Sequence, residues 1–312
     1  MTISKDFIDI HTHGIGKYDT RTGSPENIMQ MASLHSMMGT GSILPTIYPD
    51  SIDEMRNNME AVRRAMETQN RSETSSKESE VKKSINKQPV AGPPIIPHNS
   101  SLILGVNLEG PFLNPVRCGA MDKNVFLKPS VSSLKKLIAG YEDIIKIITV
   151  APEIPGSLKV IEKCSELDIK VNMGHSDATY KQAMEGKKAG ATGITHLFNA
   201  MRPFHHREPG LAGLGLIDED LYTEVIADGI HLHPKTIELI FSRKRLDRII
   251  LVSDSVKGRK TGKGAIYNKD GVLAGSAITI DSVVRRLRSV GIPDAEIIEA
   301  SKDNPARYIG LR

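Results

Sequence analysis

The chain has 312 residues, a length that fits one large domain as well as two smaller ones. Lys and Arg number 41 and Asp and Glu 37, which gives a formal net charge of +4, and 25% of the residues are charged and 39% hydrophobic. This balance is typical of a soluble globular enzyme and excludes wholesale disorder and a strongly basic nucleic-acid-binding protein.

The chain carries no pattern for export or membrane insertion. No apolar stretch approaches the ~20 residues of a membrane span, and residues 1–6 lack a signal-peptide pattern. Cys118 and Cys164 lie outside any CxxC pair, which excludes a disulfide framework and a thiolate zinc site. Aromatic residues make up only 4%, so stacking on bases is not indicated. We therefore expect a cytoplasmic protein with neither a membrane nor a nucleic-acid partner.

Eight short runs rich in Val, Ile and Leu recur along the chain, and helical patterns separate most neighbours. The runs span residues 7–13, 41–49, 102–110, 144–153, 170–176, 193–200, 223–233 and 248–255. Helical stretches include residues 26–38, 51–68, 157–167, 178–189 and 234–245. Nearly continuous hydrophobicity is typical of strands buried on both faces of a parallel sheet. The pattern predicts an α/β fold, a (β/α)8 TIM barrel, with a doubly wound sheet as the alternative; no GxGxxG motif follows the first run.

One segment, residues 69–101, does not share this alternation. It is serine-rich and polar, then proline-rich, and has no sustained apolar period. We predict a flexible insertion within a single domain of residues 1–312. Its position between the second helix and the third strand puts it on the barrel face opposite the one that carries active sites. A solvated linker is the simpler interpretation, and a regulatory or partner-binding role is the alternative.

Polar residues cluster where the predicted strands end. They are His11, His13, Glu109, His175, His196, His231, His233 and Asp254, and they include six of the ten histidines. Parallel barrel strands end on one face, so these side chains are expected to converge there. Imidazole and carboxylate groups gathered in this way indicate a metal site.

Each candidate also has an ordinary structural interpretation. The two histidines of the His-x-His pair face the same side of a strand, so both could bind metal, but such a pair is often only a polar strand end. Glu109 could cap a turn, and His175 could precede a helix N-cap at Ser176 or Asp177. His196 could be a buried core histidine, and Asp254 could cap backbone amides. The set as a whole favours ligation by Glu109, His175 and His196.

That ligand set implies hydrolysis. A divalent ion held by two imidazoles and a carboxylate keeps an open position for water and lowers the pKa of that water from ~15.7 toward ~7. A neighbouring carboxylate can accept the water proton and return it to a departing amine, which an amide needs because its amide anion is a poor leaving group. Asp254 fits this role.

The motifs themselves resemble a known family. In chain order they read LEGPFLNPVRCGA, GHSDAT, THLFNAM, REPGLAG, ADGIHLHP, LVSDS, LAGSAITID and NPARYIGL. They are similar to signatures of the N-acetylglucosamine-6-phosphate deacetylases, a branch of the amidohydrolase superfamily. The resemblance runs from Phe7 to Leu311 and is broken only by the predicted insertion.

The resemblance implies a site. It assigns metal binding to Glu109, His175 and His196, acid/base catalysis to Asp254, and a possible second metal to His11 and His13. It places substrate contacts at Ala120, Met121, Asn199, Ala200, Arg207, Asp228, His231, Leu273, Ala274 and Gly275. The cofactor is expected to be one or two divalent ions, with zinc favoured and iron, manganese or cobalt also compatible.

Arg207 has a particular role in this picture. Its guanidinium fork could hold a phosphate or sugar hydroxyls, and in related deacetylases the equivalent arginine can reach the phosphate of a neighbouring subunit. We therefore expect a homodimer, although a solvated loop charge is the alternative. Lys257 and the basic residues at 259, 260 and 263 could add positive potential on the same face or form a solvated loop.

Two departures from the family pattern stand out. Only six residues precede Phe7 and the chain ends at Arg312, so we expect the flanking β-sandwich usual in the family to be missing. Met121 stands where relatives commonly have a substrate-contacting histidine. The expected activity is metal-dependent hydrolysis of the acetamide of N-acetylglucosamine 6-phosphate. The alternatives are another amidohydrolase activity, such as N-acyl amino acid deacylation, and a non-catalytic barrel that acts as a binding protein.

Overall fold

The computed structural model describes residues 7–83, 100–258 and 264–311, and its centre is a nearly closed barrel of parallel strands. The eight strands are β1 (Phe7–Thr12), β2 (Thr40–Ile47), β3 (Val106–Leu108), β4 (Ile145–Val150), β5 (Lys170–Met173), β6 (Gly193–Ile194), β7 (Tyr222–Ile226) and β8 (Ile249–Val252). They pair in sequence order. The predicted (β/α)8 barrel is confirmed.

The barrel closes where its first and eighth strands meet. Thr12 and Ser255 form a parallel bridge, and the backbone N–H of Asp254 donates to the carbonyl oxygen of His11 at 2.9 Å. The two hydroxyl oxygens of Thr12 and Ser255 are also 2.7 Å apart. This β1–β8 seam therefore lies beside three of the predicted site residues, His11, His13 and Asp254.

Helices follow the strands and cover the barrel. They are α1 (Pro25–Met37), α2 (Ile52–Lys83), α3 (Val131–Ile138), α4 (Ser157–Glu166), α5 (Tyr180–Lys188), α6 (Gly210–Ile217), α7 (Pro234–Arg243) and α8 (Ile280–Ser289), followed by the helical turns Asp294–Ile298, Glu299–Asp303 and Asn304–Tyr308. Pro25 and Pro234 open two of them, as proline favours the first helical position. The N-cap of α5 is Thr179, whose side chain forms a capping box with Gln182, and not Ser176 or Asp177.

Helix α2 runs past residue 69, where the insertion was predicted to begin, and continues to Lys83. Each residue added to an existing helix gains a backbone hydrogen bond, so a polar segment can continue a helix without an apolar period of its own. Gln69 is buried, and its amide donates to the carbonyl of Ser101 at 2.8 Å and accepts from the N–H of Ile103 at 3.0 Å. Both ends of the segment thus belong to the barrel, and residues 84–99 lie outside the described residues.

Sheet outside the barrel is limited, within the described ranges, to one added two-residue strand and two hairpins. Leu102–Ile103 pairs with β2, Gly14–Ile15 pairs with Tyr18–Asp19, and Ala265–Tyr267 pairs with Leu273–Ser276. Within these ranges no β-sandwich flanks the barrel. None of their helices is both long and apolar enough to cross a bilayer.

Aliphatic side chains fill the core, as the low aromatic content requires. The larger cluster packs the helices against the strands, and the smaller one gathers Ile8, Ile10, Leu44, Ile147, Ile226, Ile250 and Val252 near Tyr308. Cys164 is buried in the larger cluster, and neither cysteine forms a disulfide. Apolar packing therefore holds the strands on the inner and outer faces of the sheet. The polar groups lie at the carboxyl ends of the strands.

One polar group within this core makes stability depend on pH. His35 of α1 is fully buried, its Nε2 lies 3.0 Å from the Thr12 hydroxyl, and burial lowers the pKa of its imidazole to about 3. The unfolded chain binds a proton near pH 6.5 while the folded chain resists it, so stability is lost as the pH falls below that value. Between pH 6.5 and pH 5 this group alone should reduce the free energy of unfolding by about 2 kcal/mol.

Denaturant unfolding of the protein and of a His35→Gln variant at pH 6.5 and pH 5 measures this contribution. Glutamine keeps a donor for Thr12 but does not titrate. The difference in free energy of unfolding between the two proteins should therefore change with pH. If that difference is the same at both pH values, the titration of His35 does not affect stability.

Candidate metal centre and active site

The strands deliver the predicted ligands to the carboxyl-end mouth of the barrel. His11 is in β1 and Glu109 directly follows β3, while His175, His196 and Asp254 each come two residues after the end of β5, β6 and β8. The structure brings these residues and His13 into two adjoining groups. Each group contains two imidazoles and one carboxylate.

The first group is Glu109, His175 and His196. The Oε1 atom of Glu109 lies 3.1 Å from Nε2 of His175 and 3.0 Å from Nε2 of His196, and the two nitrogens are 3.1 Å apart. All three residues are buried. The convergence of one carboxylate oxygen and two ring nitrogens at such distances matches the donor set of a divalent ion.

The second group is His11, His13 and Asp254. The Nε2 atoms of the two histidines are 3.3 Å apart, and each lies 3.7 Å from Oδ1 of Asp254. Both histidines are buried, whereas the Asp254 side chain is 14% exposed and faces the pocket described below. His-x-His here is therefore part of the cluster and not a solvated strand end.

Glu109 joins the two groups. Its Oε2 atom lies 3.0 Å from Nε2 of His13, and its Oε1 atom lies 3.5 Å from Nε2 of His11. Burial favours the neutral acid, but the imidazoles of His175, His11 and His13 outweigh burial and hold the pKa of Glu109 well below its usual range. The carboxylate is thus charged and in contact with all four histidines.

Hydrogen bonds at Nδ1 fix the direction in which Nε2 of each imidazole points. Nδ1 of His175 lies 2.8 Å from the carbonyl oxygen of Arg117, and Nδ1 of His13 lies 3.0 Å from that of Thr46. A carbonyl only accepts, so these Nδ1 atoms carry the hydrogen and the Nε2 lone pairs point inward. Inward lone pairs around one carboxylate fit a cation between them.

His11 is held in the same way by a carboxylate. Its Nδ1 lies 2.9 Å from Oε2 of Glu224, whose Oε1 accepts from the amide of Asn172 at 2.7 Å. Burial opposes a charge on His11, but Glu224 and Glu109 outweigh it and raise the pKa of the imidazole well above its usual value. Burial likewise opposes a charge on His196, yet Glu109 raises its pKa.

Three of these residues have a strained backbone. The φ angles are +47° at His175, +27° at His196 and +45° at Asp254, in the left-handed region that side chains other than glycine rarely adopt. Such strain costs on the order of 1–3 kcal/mol per residue and is kept at functional sites. The loops after β5, β6 and β8 therefore hold these side chains toward the mouth against a local preference for another conformation.

A pocket of about 250 Å³ opens above the two groups. Seven of the ten predicted substrate contacts line it, namely Ala120, Met121, Asn199, Ala200, His231, Leu273 and Ala274. The site residues His13, Glu109, His175, His196 and Asp254 line it as well. The pocket therefore joins the predicted substrate contacts to the ligand groups.

Three predicted contacts lie outside the lining of this pocket. Asp228 is buried; its Oδ2 is 2.8 Å from Nδ1 of His231 and its Oδ1 accepts two backbone N–H groups, so it orients His231. Gly275 has a φ of +147° and packs where an added Cβ would meet Val256 at 2.6 Å. Arg207 is exposed in the loop before α6. His233, although it follows β7, is exposed and caps α7 by accepting from the N–H of Lys235.

Sequence reasoning missed three residues of the site. Glu224 carries a charge inside the apolar run of β7, which was the available signal. Tyr48 lines the pocket and stacks on His13 with ring centroids 3.8 Å apart, but an aromatic residue at the end of an apolar run carries no signal for a site. Arg117 acts through its backbone carbonyl, and no side-chain pattern could indicate that.

Replacing Glu224 by Gln should weaken metal binding about 10- to 100-fold, the usual effect of losing a partner that orients a metal-binding histidine. Glutamine has no negative charge to stabilise the imidazole of His11, and it has one acceptor oxygen where Glu224 uses two, for His11 and Asn172. Metal titration of the demetallated variant measures the change. Replacing the exposed Glu219 by Gln is the matched control, and equal affinities in the two variants would exclude the orienting role.

A family model for the amidohydrolase family matches residues 7–312. The chain is 32% identical over 321 residues to an N-acetylglucosamine-6-phosphate deacetylase of Lysinibacillus sphaericus, covering 98% of this chain and 76% of that protein. The chain belongs to the amidohydrolase family. A second relative is an N-acetylgalactosamine-6-phosphate deacetylase of Escherichia coli O157:H7. It is 30% identical over 320 residues, and the match covers 98% of this chain and 77% of that protein.

Solved structures of amidohydrolases share the fold over almost the whole chain. A mutant N-acetyl-D-glucosamine-6-phosphate deacetylase of Mycobacterium smegmatis, in complex with N-acetyl-D-glucosamine 6-phosphate, superposes with a TM-score of 0.82 at 25% identity, covering 99% of this chain and 78% of that one. The N-acetylglucosamine-6-phosphate deacetylase of Thermotoga maritima gives 0.81 at 28% identity, with 99% and 79% covered. The resemblance to this branch of the family is confirmed.

Proposed function

We propose that the protein is a metal-dependent deacetylase that hydrolyses the acetamide of N-acetylglucosamine 6-phosphate to glucosamine 6-phosphate and acetate. The observation that carries the proposal is the pair of ligand groups, joined by Glu109, on the floor of a pocket that also presents Asp254 and His231. The relatives named for this activity support the choice of substrate.

Glu109, His175 and His196 would hold one divalent ion, and His11, His13 and Asp254 a second that shares Glu109. Imidazole with carboxylate suits zinc, iron, manganese and cobalt, and we propose zinc. A bound ion supplies a water of lowered pKa and polarises the acetyl carbonyl. Metal analysis should give two ions per chain, and one ion after His13→Asn.

Asp254 moves the proton in this proposal. Its carboxylate is the partly exposed member of the cluster, so it meets both the attacking water and the amide nitrogen. It accepts a proton from the water as the C–O bond forms and returns it to the nitrogen as the C–N bond breaks. The amine then departs neutral, and the acetic acid that remains loses its proton to solvent to give acetate.

His231 orients the sugar. Its Nδ1 is 2.8 Å from Oδ2 of Asp228, and that carboxylate has a lowered pKa because His231 and backbone N–H groups outweigh its burial. With Nδ1 engaged, Nε2 is left for a sugar hydroxyl in the pocket. Asn199 and Ala200 line the same pocket and would approach the phosphate end.

We also propose a homodimer in which Arg207 completes the phosphate site of the neighbouring subunit. Arg207 is exposed, and the same loop carries Phe204, which is 51% exposed. A cation outside its own pocket, beside an exposed aromatic ring, suits contact with a second copy. Sedimentation should give twice the chain mass, and a monomer with unchanged affinity for substrate would contradict this arrangement.

Acetate release by the metal-loaded protein tests the activity. The panel is N-acetylglucosamine 6-phosphate, its C4 epimer N-acetylgalactosamine 6-phosphate, and N-acetylglucosamine without phosphate. We expect the first to be hydrolysed best and loss of the phosphate to reduce kcat/KM strongly. The galactosamine relative makes the epimer the second candidate, and Met121 in the pocket wall is a position where the two could be distinguished.

A further inference from the structure

A second recess adjoins the active-site pocket. It has a volume of about 250 Å³ and shares Tyr48, Ala120, Met121 and Ala274 with the pocket as a common wall. The predicted substrate contacts Asn199, Ala200 and His231 do not line it. The recess is therefore continuous with the reaction site, and three predicted substrate contacts, Ala120, Met121 and Ala274, form part of the shared wall.

The recess, unlike the active-site pocket, is not lined by residues that follow β6 or β7. Asn199 and Ala200 follow β6 and His231 follows β7, whereas the recess is lined by residues that follow β1, β2, β3 and β8. The ligand groups stand between these loops. An amide has an amine side and an acyl side, so a sugar amine held near β6 and β7 directs the acyl side toward the recess.

The recess has cationic side chains at its rim. Its lining includes Arg21 and Lys257, against one carboxylate, Asp19, which lies 4.0 Å from Nζ of Lys257. The guanidinium carbon of Arg21 stands 3.5 Å from the ring centroid of Tyr48, and Tyr48 stacks on His13. Among the described residues, Arg21 has no carboxylate within ion-pair distance. The positive charge favours an anionic group.

We propose that this recess is the acyl subsite and that it accepts acyl groups longer than acetyl, above all those that end in a carboxylate, such as succinyl. The inference rests on the proposed deacylation at the same centre. Arg21 and Lys257 bind the terminal carboxylate while the acyl carbonyl stays at the ligand groups. An acetyl group leaves the recess unfilled, and the acetate formed can depart through it.

The chemistry of the reaction is unchanged by the longer chain. The oxygen of water bonds to the acyl carbon, the C–N bond breaks, and the proton taken by Asp254 goes to the amine. Hydrolysis of an N-succinyl amide thus yields succinate and the free amine. No further reactant is required.

Three glucosamine 6-phosphates, with N-acetyl, N-butyryl or N-succinyl groups, test the proposal with the metal-loaded protein. N-butyryl matches succinyl in length but ends in a methyl group. We expect all three to be hydrolysed and kcat/KM for N-succinyl to exceed that for N-butyryl about tenfold, as one charge-assisted hydrogen bond would give. Arg21→Gln should remove most of this difference, and Arg64→Gln, an exposed change on α2, should not.

The outcomes separate this inference from the proposed function. If N-acetyl is not hydrolysed, the proposed function fails. If N-acetyl is hydrolysed but both four-carbon acyl groups are rejected, only the acyl subsite is overturned. Equal kcat/KM values for the N-succinyl and N-butyryl substrates in the unmodified protein would likewise overturn recognition of the carboxylate. That comparison does not depend on whether the Arg21 variant folds.

Discussion

Replacing Asp254 by Asn is expected to lower kcat by about 10²–10⁴-fold, the usual contribution of a positioned general acid/base. The amide has nearly the same shape but does not accept and return a proton, so the amine would have to leave as an anion. The ion bound by Glu109, His175 and His196 should stay in place, because none of these three ligands is changed. Timed acetate release and elemental analysis measure the two properties on the same sample.

The exposed Asp270, in the turn of the hairpin that follows β8, offers a control for this change. Asp270→Asn alters a carboxylate of the same chemistry away from the pocket and should leave kcat as it was. A variant at residue 254 that keeps its metal and its full kcat would rule out proton transfer by Asp254.

Replacing Glu109 by Gln is expected to empty both ligand groups. The carboxylate contacts His175 and His196 through one oxygen and His13 through the other, so its charge serves both. Loss of several kcal/mol of charge stabilisation corresponds to a decrease in kcat/KM of roughly 10³-fold or more. Metal content and acetate release of the purified variant, after incubation with excess zinc, provide the measurement.

A comparison with His13→Asn sharpens this prediction. That change removes a ligand from the second group only, so we expect one ion to remain. If Glu109→Gln also retains one ion per chain, one ligand group binds its ion without Glu109. The proposal that both groups share this carboxylate is then wrong.

The barrel and its ligand face were predictable because both depend on local patterns. Eight apolar runs that alternate with helical patterns indicate eight parallel strands. Polar residues that follow such strands must lie on one face of the barrel. The ligand candidates His11, Glu109 and His196 were found in this way. The apolar periodicity ends before the last part of α2. Those polar residues are helical because they extend a helix that has already formed.

Contacts between distant parts of the chain could not be predicted. Glu224 orients His11 from more than two hundred residues away. Nearby in the chain, Asp228 was predicted to contact the substrate but supports His231 without lining the pocket. His233 was predicted in the same strand-end cluster as His231, but it caps α7. In each case the strand end was predictable, while the direction of the side chain depends on the loop conformation that tertiary packing selects.

The β1–β8 seam has a consequence for biosynthesis. His11 and His13 emerge from the ribosome long before Asp254, yet the three form one group only when the eighth strand docks beside the first. A nascent chain therefore possesses the Glu109 group before it possesses the second one. In the proposed two-ion centre, the second ion would therefore bind only after synthesis is complete and the barrel has closed.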